Sequence, residues 1–125
     1  MREVIATDGA PKAIGPYSQA IKANGFIFVS GQTPIDPATQ QLLEGSVTQQ
    51  TNRVLSNIRA ILEQAGSSME KIVRCGVFLK DMNDFAEMNA EYAKFFPDNP
   101  PARSTVQAAR LPKDCQVEID AIALE

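Results

Sequence analysis

The chain has 125 residues, of which 44% are hydrophobic and 22% are charged, and its formal net charge is −3. This length predicts one domain with one core, and the composition lies outside the disordered range. A chain without a basic surplus is poorly suited to hold nucleic acid or anionic lipid, so both are disfavoured as partners. The sequence contains no His, which excludes histidine-activated nucleophiles and leaves carboxylate, hydroxyl, amine, thiol or backbone groups for proton transfer.

The start of the chain lacks the apolar stretch of a signal peptide, and no later apolar run is long enough for a membrane span. We therefore expect a cytoplasmic protein. Cys75 and Cys115 lie far apart in the sequence, so neither a zinc site nor a disulfide framework is indicated. Two reduced thiols are the favoured interpretation.

The first part of the chain predicts short strands and a loop. Residues 3–6 fit a strand, and the Gly and Pro residues that follow predict an ordered loop ending at Tyr17. Asn24-Gly25 is a strong hairpin signal. Residues 18–22 and 26–30 are therefore predicted to be antiparallel strands, the second ended by Gly31 and Pro34.

Residues 46–66 predict a helix. Ser46 followed by Gln49 resembles a capping box, and Gly66 suits a left-handed C-cap. Between them, apolar side chains recur at three- and four-residue spacing, and the resulting stripe consists of Val47, Thr51, Val54, Leu55, Ile58, Ile61, Leu62 and Ala65.

The second half predicts a buried strand at 72–79, a helix at 81–96 closed by Pro97, and strands at 103–107 and 117–124. Phe85, Met88 and Tyr92 lie on one side of that helix, with Phe95 or Phe96. The order βββ-α-β-α-ββ predicts an α+β two-layer sandwich, with two helices on one face of a mostly antiparallel sheet. Because the strands are apolar on both faces, we expect the other face to pack against another copy.

Arg103 is the first candidate for chemistry. Pro100 and Pro101 stiffen the approach to it, and strand alternation places Arg103 and Thr105 on one face. A fixed guanidinium can donate two parallel hydrogen bonds to a carboxylate, and Thr105 could offer its hydroxyl to the same ligand. The local pattern also fits a surface arginine or a structural ion pair.

Glu118 is the second candidate. Alternation in the last strand places it on one side with Asp120, Ile122 and Leu124. Burial among apolar groups would raise the pKa of its carboxyl, and a nearby arginine would lower that pKa. In either case the carboxyl could hold and orient a water molecule. The pattern equally fits a solvent-facing acid.

Four other residues are weaker candidates. Tyr17 could wall a small-molecule pocket, Ser30 and Gly31 could let backbone N–H groups approach a ligand oxygen, and Asn89 could contact a ligand from the second helix. Ordinary packing or turn formation explains each of these residues as well.

Taken together, the segments resemble the reactive intermediate deaminase (Rid, or YjgF) family along nearly the whole chain. The similar segments are residues 13–20, 29–32 and 84–89, the run PARSTVQAARLP at 101–112, and VEIDAIAL at 117–124. The resemblance implies a chorismate-mutase-like α+β fold, a homotrimer around a central sheet barrel, and clefts between subunits.

The resemblance also implies an activity, the hydrolysis of 2-iminobutanoate and 2-iminopropanoate to 2-keto acids and ammonia. These imines arise from the products of pyridoxal-phosphate-dependent dehydratases. Arg103 would then grip the substrate carboxylate and Glu118 would activate or hold the attacking water, in a cleft lined by positions that match Tyr17, Ser30, Gly31, Asn89 and Thr105. Many members carry cysteine where this chain has Thr105. Water can add to an electrophilic C=N carbon without a metal, cofactor or covalent nucleophile, so we expect no cofactor.

Two alternative functions stay open. The same cleft could sense a small carboxylate and regulate a partner enzyme. An endoribonuclease acting on messenger RNA is the other alternative. The negative net charge and the small number of aromatic residues argue against a surface on which RNA bases stack.

Overall fold

The computed structural model describes all 125 residues and contains eight strands and two α-helices. The strands are β1 (Glu3–Ile5), β2 (Ala20–Ala23), β3 (Phe26–Gln32), β4 (Ile35–Asp36), β5 (Gln41–Leu42), β6 (Ile72–Leu79), β7 (Ala102–Gln107) and β8 (Val117–Leu124). The helices are α1 (Val47–Gln64) and α2 (Phe85–Phe95). Neither helix is both long enough and apolar enough to cross a lipid bilayer.

Six strands form one sheet in the order β1-β2-β3-β8-β6-β7. All neighbours in it are antiparallel except β6 and β7, which run parallel. The two helices pack against each other, and α1 packs on β3 and β8. This arrangement confirms the predicted α+β fold, with two helices on one side of a mostly antiparallel sheet.

Helix α1 forms as its sequence predicts. The Ser46 hydroxyl accepts a hydrogen bond from the backbone N–H of Gln49, and the Gln49 side chain accepts one from the backbone N–H of Ser46, so the capping box is complete. Every member of the predicted apolar stripe is buried. The helix ends at Gln64, and Gly66 follows the C-cap residue Ala65 with a φ of 84°, a conformation that glycine adopts at little cost.

The hairpin between β2 and β3 also follows the prediction. Asn24 and Gly25 have φ values of 54° and 84°, as a two-residue turn of the hairpin type requires. The second strand starts at Phe26 as predicted, whereas β2 begins at Ala20 rather than at residue 18. The carbonyl groups of Ser18 and Gln19 accept hydrogen bonds from Ser30 instead of joining a regular ladder.

Other boundaries were predicted wrongly. The strand β3 does not end at Gly31 but continues to Gln32 through an irregularity in its pairing with β8. Helix α2 begins at Phe85 rather than at Asp81, because the Asp81 side chain accepts a hydrogen bond from the N–H of Asn83 and starts a short 3₁₀ turn. The small hairpin of β4 and β5 was not predicted, since strands of two residues are too short to show alternation.

The two faces of the sheet have different surroundings. Side chains such as Ile27, Ile119 and Ala121 point toward the helices and are buried. On the opposite face no element covers the sheet, and large apolar side chains stay exposed there, namely Phe26, Phe28, Val106 and Leu124. We refer to these two sides as the helix face and the open face.

Candidate functional site

Arg103 lies on the helix face of the edge strand β7. Its strand neighbour is Cys75 of β6, which is fully buried beneath the helices. The Nη1 group of Arg103 donates a hydrogen bond of 2.8 Å to Oδ1 of Asn89 in α2. Its guanidinium carbon lies 4.7 Å from the centre of the Tyr92 ring and 5.4 Å from that of Phe85. Helix α2 thus holds the guanidinium from several sides.

No carboxylate pairs with this guanidinium. The ion pairs of the chain join Lys22 to Glu125, Lys94 to Glu91 and Arg110 to Asp114. Charged groups inside proteins are normally paired, because removing them from water is costly. Arg103 is half-buried and borders a cavity of about 410 Å³ that is also lined by Asn89, Tyr92, Phe96, Pro100 and Pro101. A cation held by neutral groups beside a cavity can bind a carboxylate there.

Thr105 lies two residues along β7 and on the same face as Arg103. Its hydroxyl is buried and has no hydrogen-bond partner. A buried hydroxyl without a partner is uncommon. Thr105 and Arg103 therefore lie together on the helix face, as their alternation predicted.

Glu118 and Gly31 come together on the open face. The carboxylate of Glu118 lies so close to Gly31 that a β-carbon added there would overlap Oε2 and lie 3.1 Å from Cδ. Burial raises the pKa of the Glu118 carboxyl, and the neighbouring charge of Asp120 raises the pKa further. A half-buried carboxyl with a raised pKa is a stronger proton acceptor than an ordinary one.

Arg103 and Glu118 do not meet within one chain. Arg103 lies beside Cys75 and, one strand further, beside Ala121, which is three residues along β8 from Glu118. The two residues are separated by two strand spacings across the sheet and by three residues along the strand direction. These perpendicular separations combine to roughly 14 Å between their Cα atoms. The two side chains also leave opposite faces of the sheet. One small molecule therefore cannot contact both groups of the same chain.

Ser30 connects a loop to the sheet. Its hydroxyl donates a hydrogen bond of 2.6 Å to the carbonyl of Ser18, and its N–H donates one to the carbonyl of Gln19. The buried Gln19 amide in turn hydrogen-bonds to the backbone of Thr7 and Pro11. The Ser30 hydroxyl proton is thus engaged in holding the loop that precedes β2.

Tyr17 belongs to that loop and is 51% exposed. Its ring borders an open cleft of about 610 Å³ next to β1, together with Lys12, Ser18 and Gln19. Because β1 and β7 form opposite edges of the sheet, Tyr17 lies far from Arg103 of the same chain. Of the predicted site residues, the structure thus brings Arg103, Asn89 and Thr105 together, and separately Ser30, Gly31 and Glu118.

Sequence reasoning did not assign Phe85 and Tyr92 to the site, since it interpreted them as part of an apolar stripe. Both contact the Arg103 guanidinium. The available signal was the spacing of Phe85, Asn89 and Tyr92, which places all three side chains on one side of a helix. An amide between two aromatic residues on such a stripe can hold an arginine side chain in place.

The two thiols are poor nucleophiles. Cys75 and Cys115 are both unpaired and fully buried. Burial is the largest cause that raises the pKa of each thiol, to about 11 for Cys115. Because the thiolate is the reactive form, both groups are expected to stay protonated and inert.

Known proteins match this chain over nearly its whole length. A family model described as Endoribonuclease L-PSP matches residues 7–125. A RutC family protein of Pyrococcus horikoshii is 56% identical over 123 residues, with 98% of each chain covered. The structure of the Rid family protein YyfA of Yersinia pestis matches with a TM-score of 0.98 at 47% identity over all of both chains. The structure of TdcF of E. coli with bound serine matches with a TM-score of 0.94 at 43% identity over 98% of each. The chain therefore belongs to the Rid family, which includes the YjgF and RutC proteins.

Proposed function

We propose that this protein hydrolyses short 2-imino acids, such as 2-iminobutanoate and 2-iminopropanoate, to 2-keto acids and ammonia. The observation that supports this most directly is the Arg103 guanidinium, which is half-buried beside a cavity and has no carboxylate partner in the chain. The missing anion is then the carboxylate of the substrate. The serine bound by the relative TdcF is itself a small molecule with a carboxylate next to a nitrogen-bearing carbon.

In this mechanism Arg103 fixes the carboxylate and Glu118 acts on water. The ionised Glu118 carboxylate accepts a proton from water while the water oxygen bonds to the carbon of the protonated imine, whose C=N electron pair moves to nitrogen. In the resulting carbinolamine, Glu118 passes that proton to the amine and accepts the hydroxyl proton, so that ammonia leaves as the C=O bond of the 2-keto acid forms. The raised pKa of Glu118 brings the group nearer to the working pH, where a general base is most effective. The Thr105 hydroxyl supplies a further hydrogen bond to the ligand.

Each proposed site needs residues from two chains. Arg103 and Glu118 leave opposite faces of one sheet, so a complete site forms only where the Arg103 side of one protomer meets the Glu118 side of another. Self-association through the open face would also cover Phe26, Phe28, Val106 and Leu124, which a single chain leaves exposed. A homotrimer satisfies both requirements with closed symmetry and three equivalent sites.

A mixing experiment tests this arrangement. Arg103→Ala and Glu118→Gln are each expected to be inactive in an assay that follows imine decay behind a dehydratase. When the two variants are refolded together and assemble at random, roughly a quarter of the interfaces contain both Arg103 and Glu118. About a quarter of the wild-type activity should therefore return. A site within one chain would recover nothing, because no protomer would hold both groups.

The control for the loss of a guanidinium is Arg110→Ala. Arg110 pairs with Asp114 on the surface and its side chain is 79% exposed, so its removal should leave the rate unchanged. If Arg103→Ala keeps the wild-type rate, the proposed deaminase activity is wrong. Tight binding of 2-ketobutanoate without imine hydrolysis would instead favour a carboxylate-sensing regulator.

The second candidate function is an endoribonuclease, which the description of the matching family names. The absence of His and the net charge of −3 weigh against RNA cleavage and RNA binding. RNA digestion that persists in purified Arg103→Ala protein, together with no effect on imine decay, would support this second candidate.

A further inference from the structure

An arginine that receives a carboxylate must be held in place without being neutralised. Its long side chain is flexible in solution, and a partner carboxylate that fixed it would also occupy the N–H groups that the ligand needs. In this chain the groups in contact with the Arg103 guanidinium are the Asn89 amide and the rings of Tyr92 and Phe85. All three are neutral.

The two rings are held with different rigidity. Phe85 begins α2 and is 36% exposed, whereas Tyr92 is only 4% exposed. The Tyr92 ring also packs against Phe96, with 4.7 Å between the ring centres. Tyr92 is therefore the firmer support, and it lies closer to the guanidinium than Phe85 does.

The Tyr92 hydroxyl is not part of this contact. It is buried beside the Cys75 thiol and has no well-formed hydrogen bond. The ring face, in contrast, offers the guanidinium an attractive surface without using any of its N–H groups. Only Nη1 of Arg103 has a hydrogen-bond acceptor, the Asn89 amide oxygen, which leaves the Nε and Nη2 edge for a bidentate ligand.

We propose that Tyr92 is a positioning residue, whose ring holds the Arg103 guanidinium flat with its Nε and Nη2 edge toward the cavity. This inference rests on the proposed function, since it assumes that Arg103 receives the substrate carboxylate. A support of this kind acts on ground state and transition state alike, so its loss should raise KM and change kcat little.

Three variants separate the ring, the hydroxyl and general loosening of α2. Tyr92→Leu removes the ring face, and Tyr92→Phe removes only the hydroxyl. Phe95→Leu is the matched control, because Phe95 lies on the same helix but stacks on Arg59, at 4.8 Å. We expect KM to rise roughly tenfold, equivalent to about 1.4 kcal/mol, in Tyr92→Leu. We expect KM to stay within about twofold of wild type in the other two, and kcat to change less than about threefold in all three.

The outcomes are distinguishable. An unchanged KM in Tyr92→Leu, in a protein whose Arg103→Ala variant is inactive, would overturn the positioning role and leave the proposed function intact. An equal rise of KM in Phe95→Leu would also overturn it, because the effect would then come from loosening of the helix. Wild-type rates in Arg103→Ala would overturn both proposals.

Two further measurements cover the remaining cases. Should Tyr92→Leu fail to fold, Tyr92→Met takes its place, because the longer flexible side chain fills more of the cavity, and the same KM criteria apply. Binding of 2-ketobutanoate, measured by calorimetry, should weaken in Tyr92→Leu. In an Arg103→Ala background the same replacement should cause no further weakening, and an additive loss there would contradict the proposal.

Discussion

Gly31→Ala should displace the Glu118 carboxylate while leaving the fold almost unchanged. The added β-carbon would overlap Oε2 of Glu118 and lie 3.1 Å from Cδ and 3.4 Å from Cγ. Ordinary contact between such atoms needs about 3.5 Å or more, so the carboxylate has to move by roughly 1 Å. A misplacement of roughly 1 Å in a reacting group can cost about 100-fold in rate. We therefore expect kcat for imine hydrolysis to fall by about two orders of magnitude.

The stability of the fold should change little in this variant. Moving Glu118 away from its preferred rotamer costs about 0.5–1.5 kcal/mol, whereas replacing Gly with Ala stabilises by about 0.4–1 kcal/mol through the unfolded chain. The net free energy of unfolding should stay within about 1 kcal/mol, which corresponds to a Tm change of no more than roughly 5 °C. Scanning calorimetry and the dehydratase-coupled assay measure the two effects separately.

The control variant is Gly15→Ala, whose β-carbon would lie 3.6 Å from the nearest ring atom of Tyr17, at ordinary contact distance. It should keep both activity and Tm. Activity of Gly31→Ala within about twofold of wild type would show that the position of Glu118 is not critical. If the variant acts by blocking substrate rather than by moving Glu118, it should weaken the binding of 2-ketobutanoate in calorimetry, whereas displacement of Glu118 alone should lower kcat and leave that binding nearly unchanged.

Three further predictions follow from the structure. Burial and the charge of Asp120 raise the pKa of Glu118 from its ordinary 4.5, so kcat/KM should rise with pH around a midpoint above that value. Asp120→Asn should lower the midpoint without restoring 4.5, since burial is the larger cause. An unchanged midpoint in Asp120→Asn would argue against Glu118 as the titrating group. Ser46→Ala removes the helix cap and should lower the free energy of unfolding by about 1 kcal/mol in denaturant titrations, with kcat unchanged. Ser30→Ala removes the hydrogen bond to Ser18 and should destabilise by about 1 kcal/mol while KM stays nearly constant; a large rise in KM would mean that the hydroxyl contacts the substrate instead.

Much of the local structure was already determined by the sequence. Ser46, Gln49 and Gly66 mark the ends of α1, and Asn24-Gly25 specifies the turn between β2 and β3. Each of these signals acts between residues close in the chain, through periodicity, capping or turn geometry. The alternation in β8 likewise predicted correctly that Glu118 and Asp120 share one face. Local patterns marked the candidate site residues, and the family resemblance supplied their roles.

The tertiary structure alone decided which candidate residues meet. Alternation shows that Arg103 and Thr105 share a face, but it does not relate that face to the one of Glu118, because the relation depends on the pairing of β7 with β6 and of β6 with β8. Those pairings join distant segments, and a shift of one residue would reverse every side chain. The same nonlocal packing placed the Tyr92 ring against Arg103. Sequence therefore determined the main helices and strands and which residues share a face, whereas register and packing put Arg103 and Glu118 on opposite sides of the sheet.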